Sequence, residues 1–124
     1  MTHFAVLVLT NEKDDIRAAV DKLLAPYDEN GEFFREGSRW DWWEVGGRWR
    51  NALLPFDHAP VSEVPTDIRV TAIVTPDGQW HERGRPGWWG AILDERPDDE
   101  WAADTARLLG ENQFATAVVV DCHV

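Results

Sequence analysis

The sequence predicts an α+β fold of one domain, residues 1–124, built on an antiparallel sheet with two helices. Three observations predict it: β-branched apolar runs at both ends, two amphipathic helical segments between them, and a tight-turn signature in the middle. The elements follow the order strand, helix, strand, strand, helix, strand. With right-handed crossovers, this order gives a ferredoxin-like βαββαβ sheet of strand order 4-1-3-2 with both helices on one face.

The first strand and the first helix occupy the beginning of the chain. Residues 4–9 form a continuous apolar run, and its length favours a strand buried on both faces. A helix is predicted next, because Asn11 can cap it and acidic residues fill its first turn. Its apolar face recurs at helical spacing and stops before Pro26; it comprises Ile16, Ala19, Val20, Leu23 and Leu24.

A long insertion, residues 27–66, separates the first helix from the second strand. It follows no sustained period, and four of the chain's eight tryptophans lie between residues 40 and 49. A segment of this length inside a compact domain is usually functional or carries structure of its own. We expect this Trp-rich insertion to pack on the sheet and to cover the face that the helices leave open.

A hairpin is predicted after the insertion. Residues 68–75 and 79–83 have the composition of strands, and Pro76-Asp77-Gly78 between them has the chemistry of a tight turn. The proline presets φ, the aspartate bonds locally, and the glycine can take a positive φ. These strands become the second and third of the predicted sheet.

The second helix and the last strand complete the chain. Pro97, the three acidic residues after it and an apolar face ending before Gly110 predict a helix with signals at both ends. Residues 114–124 are again β-branched and form the last strand. On the predicted register its lone cysteine, Cys122, is buried and inert.

Charge and cysteine content narrow the classes of function. The net charge of −11 disfavours direct binding to nucleic acid, which requires clustered Lys and Arg, and it suits a partner with a basic surface. The single cysteine and the absence of a signal-peptide pattern indicate a cytoplasmic protein. No apolar stretch approaches the about 20 residues that span a bilayer, so no membrane role is expected.

The ends of the first and last strands bring histidines together in the predicted sheet. If His3 faces His123, then Ala5 faces Asp121, and both histidines share a face with the aspartate. His81 in the third strand joins them only in some registers. Imidazoles beside a carboxylate could bind a divalent metal or act as general acid and base. The chain has no short-range metal-ligand spacing such as His-x-x-x-His, so no metal or other cofactor is assigned.

The tryptophan cluster has two interpretations. It is either a satellite core that anchors the insertion, with Gly46-Gly47 forming a tight turn and Arg48 stacked on an indole, or an aromatic binding surface. In the second interpretation Asp41 and Glu44 pair with Arg48 or meet a basic partner. The candidate binding residues are Trp40, Asp41, Trp42, Trp43, Glu44, Arg48 and Trp49.

Three motifs carry a resemblance over nearly the whole chain. They are W-D-W-W-x-V-G-G-R-W at residues 40–49, T-P-D-G-Q-W-H-E-R-G followed by G-W-W-G at residues 75–90, and the terminal V-D-C-H-V. With these motifs the chain resembles a family of small proteins encoded by bacteriophages and prophages. The resemblance implies a phage origin and an accessory role, in the cytoplasm of an infected or lysogenic bacterial host, and it implies no particular reaction.

Two hypotheses of different classes follow. The leading one is a small acidic phage accessory protein that binds a host or phage protein through the Trp-rich insertion. The alternative is a hydrolase or nuclease, with or without a metal, whose catalytic residues are His3, His81, Asp121 and His123. Ferredoxin-like sheets often dimerise through an edge strand, and Val124 ends one, so a monomer and a homodimer both fit the sequence.

Overall fold

The chain is mixed α+β, as predicted. The computed structural model describes residues 3–28, 40, 42–86, 92–93 and 95–123. Its strands and helices, in chain order, are β1 (His3–Thr10), α1 (Ile16–Leu24), β2 (Trp42–Val45), β3 (His58–Pro60), β4 (Ala72–Val74), β5 (Trp80–Glu82), β6 (Arg85–Pro86), β7 (Ile92–Leu93), α2 (Asp98–Glu111) and β8 (Thr116–His123).

Six of the strands form one open sheet. Its order is β2-β8-β1-β4-β5, and β3 also pairs with β8, next to the part of β8 that pairs with β2. β1 and β8 pair antiparallel over eight residues each, so they form the centre of the sheet. β6 and β7 form a separate two-stranded ribbon.

The predicted strand order 4-1-3-2 is wrong, because the first strand of the hairpin takes the inner position. β4 pairs with β1 in parallel, and β5 lies beyond β4 at the end of the sheet. All three residues of β4 are buried, whereas those of β5 are half-buried. An apolar strand suits a position that is covered on both faces, and the Trp-His-Glu sequence of β5 suits an edge.

The two helices lie on opposite faces of the sheet, which corrects the prediction that they share one. We call the face that bears the even-numbered residues of β1 and β8 the even face, and the other the odd face. α1 packs on the even face through Val20 and Leu24. α2 packs on the odd face through Trp101, Leu108 and Leu109.

The route of the insertion explains this arrangement. After α1 the chain does not enter the strand beside β1; it first forms β2 at the outer edge of β8. It then returns to β4 across the odd face, where Leu54, Val61 and Val64 join the core beneath α2. The insertion therefore packs on the sheet, as predicted, but it shares the odd face with α2 and reaches the even-face core beside α1 through Trp40 and Trp43, so it covers no face that the helices leave open.

The ends of the helices differ in detail from the prediction. Asp15, not Asn11, caps α1, since its carboxylate accepts a hydrogen bond from the Ala18 N–H at 3.0 Å. Pro97 is the residue before α2, and Gly110 lies inside its last turn. Neither helix in the described ranges has the length and apolar character that a membrane crossing requires.

The hairpin and the lone cysteine agree with the sequence. The Gly78 N–H donates to the Thr75 carbonyl at 2.8 Å and Gly78 has φ +87°, so residues 75–78 form the predicted turn. Cys122 is fully buried on the even face. Burial, and to a smaller extent the neighbouring Asp121 carboxylate, raise the pKa of its thiol far above the ordinary value, so the thiol is unreactive in the folded protein.

Candidate functional site

The pairing of β1 with β8 brings two histidines and an aspartate together at one end of the sheet. His3 lies opposite His123 and Ala5 lies opposite Asp121, which confirms the predicted register. The His3 Nδ1 atom is 2.9 Å from Asp121 Oδ1, and the centroids of the two imidazole rings are 5.2 Å apart. All three side chains belong to the odd face.

Asp121 is a buried carboxylate whose two oxygens each have a hydrogen-bond partner. Its side chain is only 4% exposed, and its second oxygen, Oδ2, accepts the backbone N–H of Arg48 at 2.9 Å. A carboxylate can only accept hydrogen bonds, so the neutral His3 ring donates through Nδ1 and keeps Nε2 as an acceptor. Asp121 therefore sets the tautomer and the orientation of His3.

The Gly46-Gly47 turn fits closely around two carboxylates. Both glycines have positive φ, +75° and +49°. A Cβ atom on Gly47 would lie 2.5 Å from Asp121 Oδ2, and one on Gly46 would lie 2.6 Å from Asp57 Oδ2. Any side chain at either position would displace the carboxylate, so the glycines provide close approach as well as the predicted tight turn.

Trp42 extends the histidine pair into an aromatic row. Its indole stacks on the His123 ring, with centroids 4.7 Å apart and planes 25° from parallel. We call His3, His123 and Trp42 the aromatic row, since they come from the adjacent strands β1, β8 and β2. Trp42 is 43% exposed, so the row runs from a partly covered imidazole to an indole that solvent reaches.

The remaining tryptophans of the cluster pack against the core. Trp40 is 7% exposed and its indole N–H donates to the Leu24 carbonyl at 2.9 Å, so this predicted binding residue is a core residue. Trp43 points to the even face, where the Arg17 guanidinium lies 5.3 Å from the ring centroid. Trp49 packs on the odd-face core.

The charged residues of the cluster have partners other than the predicted ones. Glu44 lies 3.8 Å from Arg50, and Arg17, not Arg48, stacks on an indole. The Arg48 side chain is exposed while its backbone N–H binds Asp121. Asp41 lies outside the described residues.

His81 lies apart from the aromatic row. It pairs with Ile73, which pairs with Leu7, two strands across and four residues along from His3. At about 3.3 Å per residue and about 4.8 Å between strands, the two backbones are roughly 16 Å apart. His81 Nε2 instead lies 3.3 Å from the Thr75 hydroxyl. The predicted catalytic set is therefore split into a group of three and a single residue.

No other protein identifies the site. No family model, curated protein or solved structure matches the chain. Within the part of the chain that the structure describes, no group of three or more His, Cys, Asp or Glu side chains has the geometry to hold a metal ion. The groups that the structure brings together at this site are a partly exposed imidazole oriented by a carboxylate and an exposed indole stacked on the second imidazole.

Proposed function

We propose that this chain is a small acidic accessory protein of phage origin, acting in the cytoplasm of the bacterial host by binding a host or phage protein. The contact surface is the exposed part of the Trp-rich insertion, centred on Trp42 and flanked by Glu44 and Arg48. The observation that carries the proposal is the position of Trp42, which is 43% exposed yet held in place by its stack on His123. A pre-oriented aromatic side chain loses little entropy on binding.

The exposed area of Trp42 is enough for a binding anchor. A tryptophan buries up to about 250 Å² in an interface, so the exposed part corresponds to roughly 100 Å². At about 25 cal/mol per Å² its burial contributes roughly 2.5 kcal/mol, the size that defines a hot spot. Trp40 adds no contact area, because it is core.

Charge and chain topology support the same surface. The net charge of −11 favours a partner with a basic surface and speeds the encounter with it. β2 stands at one end of the strand order, and no strand within the described ranges pairs with its outer side. Trp42 is therefore presented at a rim of the sheet that a partner can approach.

Affinity capture with matched variants tests the proposal. Tagged wild-type protein, Trp42→Ala and Phe114→Ala are each incubated with bacterial lysate, and retained proteins are quantified by mass spectrometry. Phe114 is 95% exposed and lies before β8, at the end of that strand remote from Trp42, so its variant controls for unspecific aromatic adhesion. We expect a protein retained by wild type and Phe114→Ala and reduced at least about tenfold by Trp42→Ala. Equal retention by Trp42→Ala would refute the proposal.

A second candidate function rests on the His3–Asp121 pair. A buried carboxylate 2.9 Å from a partly exposed imidazole is the arrangement that orients a general base in hydrolases. We propose as the alternative that His3 moves protons in a hydrolytic reaction, with Asp121 as its positioning residue and His123 beside it.

Hydrolysis of generic substrates distinguishes the two functions. p-Nitrophenyl acetate and bis(p-nitrophenyl) phosphate are offered to wild type, His3→Asn and His58→Asn, the last altering an exposed histidine outside the row. The alternative requires turnover by wild type and His58→Asn that His3→Asn loses. No turnover by wild type, or equal turnover by His3→Asn, would reject it.

A further inference from the structure

A polar cavity lies at the opposite end of the molecule from the aromatic row. It has a volume of about 630 Å³ and lies between the β4–β5 turn, His81, Asn11 and the last turn of α2. Sites for small molecules usually have volumes of about 300 to 1,000 Å³. Its lining is mainly polar, and the binding function proposed above makes no use of it.

The charged groups in the cavity wall are already satisfied by the protein. Arg107 Nη1 donates to both carboxylate oxygens of Glu111, at 3.2 and 3.3 Å. The Asp77 carboxylate accepts the Thr75 hydroxyl and the Gln79 backbone N–H, the latter at 3.2 Å. Each of these charged groups therefore already has a hydrogen-bond partner within the protein.

The groups left for a ligand are neutral. The side-chain amides of Asn11 and Gln79 are exposed, and each offers a donor and an acceptor. The Asn112 amide nitrogen donates to the Leu108 carbonyl at 2.8 Å, which leaves its oxygen to accept from a ligand. Three amides from three parts of the chain thus line one cavity.

A hydrogen-bonded chain sets the orientation of His81. Because the Thr75 hydroxyl gives its hydrogen to Asp77, the Thr75 oxygen accepts from His81 Nε2, 3.3 Å away. The hydrogen of the neutral imidazole is therefore on Nε2, and Nδ1 is an acceptor. This chain orients the imidazole that lines the cavity wall.

We propose that this cavity binds a small neutral molecule rich in hydroxyl groups, of the sugar or polyol class. A hydroxyl group both donates and accepts a hydrogen bond, so a set of neighbouring hydroxyls matches a wall of amides with both functions. An anion would face the carboxylates of Asp77 and Glu111. Because Arg107 and Glu111 pair with each other and Asp77 accepts hydrogen bonds from its own turn, the groups left to contact a ligand are the neutral amides, which favours a neutral ligand.

Titration by nuclear magnetic resonance tests the proposal. D-Glucose, D-galactose and D-ribose are added separately to ¹⁵N-labelled protein at high millimolar concentration, and the backbone amides of Gly78, Gln79 and Asn112 are followed. We expect saturable shifts at these amides with at least one sugar. Gln79→Ala removes an exposed amide while its backbone bonds persist, and we expect it to weaken binding roughly threefold to tenfold, the value of one hydrogen bond.

Matched controls decide the outcome. Gln113→Ala removes a glutamine side chain that lies just after α2 and outside the cavity, and it should bind as wild type. Three results would overturn the proposal: no saturable shift with any of the sugars, equal binding by Gln79→Ala, or shifts of these amides by sodium phosphate or spermidine in place of the sugars. The binding surface proposed around Trp42 lies at the other end of the molecule, so a negative result in these titrations leaves the proposed function unaffected.

Discussion

Gly47→Ala tests how closely the glycine turn encloses Asp121. Gly47 has φ +49°, and an added Cβ would lie 2.5 Å from Asp121 Oδ2. The carboxylate it would push away holds His3 through one oxygen and the Arg48 N–H through the other. The substitution therefore strains the backbone and disturbs two hydrogen bonds at a buried group.

The expected cost follows from these two effects. A left-handed backbone conformation costs a non-glycine residue roughly 1–2 kcal/mol. Displacing a buried carboxylate from its donors costs about 1–3 kcal/mol more. We expect Gly47→Ala to lower the free energy of unfolding by about 2–5 kcal/mol, which corresponds to a fall in Tm of roughly 4 °C per kcal/mol for a domain of this size.

Urea unfolding followed by tryptophan fluorescence measures this cost against two glycine controls. Gly78 has φ +87° and nothing within 4 Å of an added Cβ, so Gly78→Ala reports strain alone, roughly 1–2 kcal/mol. Gly110 is helical with open space around it, so Gly110→Ala should stabilise by about 1 kcal/mol. If Gly47→Ala cost no more than Gly78→Ala, the close contact with Asp121 would be disproved.

Two further predictions concern titrating groups. The Thr75 hydroxyl holds the pKa of Asp77 below its ordinary value, so Thr75→Val should raise it, as measured by carbon-13 titration of the carboxyl. The depressed pKa of Asp77 stabilises the fold at pH values above 3.8, its ordinary pKa, and this stabilisation is lost as the pH falls through the pKa of Asp77 in the folded protein. Thr75→Val should therefore reduce the loss of stability in acid. An unchanged Asp77 pKa in this variant would contradict the prediction. Cys122, whose thiol pKa is raised by burial, should react with Ellman's reagent only after unfolding; stoichiometric reaction of the folded protein would contradict its placement.

The fold was most predictable from the sequence where a local residue pattern also determines which segments pair. The apolar runs of β1 and β8 have nearly equal length, and pairing them end to end places His3 opposite His123, as observed. The hairpin turn at Pro76-Asp77-Gly78 was predictable because each position has the residue type that its backbone angles require. These features depend on contacts between few, well-marked segments.

The order of the sheet was not predictable in the same way. A strand, helix, strand pattern implies a crossover by the helix, but here β2 and β3 of the insertion pair with β8 and redirect the chain. Four-residue and three-residue strands inside a segment of Gly and Pro leave no periodic signal. The helices consequently fall on opposite faces, which the order of the elements alone cannot reveal.

The roles of several residues in the candidate site depend on the pairing of β2 with β8, which the sequence does not indicate. Nothing in the sequence relates Gly47 to Asp121, which are remote along the chain and adjacent only because β2 leads into the turn. Asp57 closes the loop after Gly46-Gly47 by accepting the Asn51 N–H at 2.7 Å. This role was not predicted, for the same reason. A usable signal was the Gly-Gly pair itself, since two adjacent glycines often mark a close backbone approach.

The alternation of β2 divides the tryptophan cluster between buried and exposed environments. Successive side chains of a strand point to opposite faces, so Trp43 turns to the even face beside Arg17, and Trp42 turns to the odd face over His123. Trp40 precedes the strand and enters the core. A satellite core and an exposed aromatic group thus arise from neighbouring residues, and the binding proposal depends on Trp42 alone among them. A single substitution at that position therefore separates recognition from folding more cleanly than any truncation of the insertion.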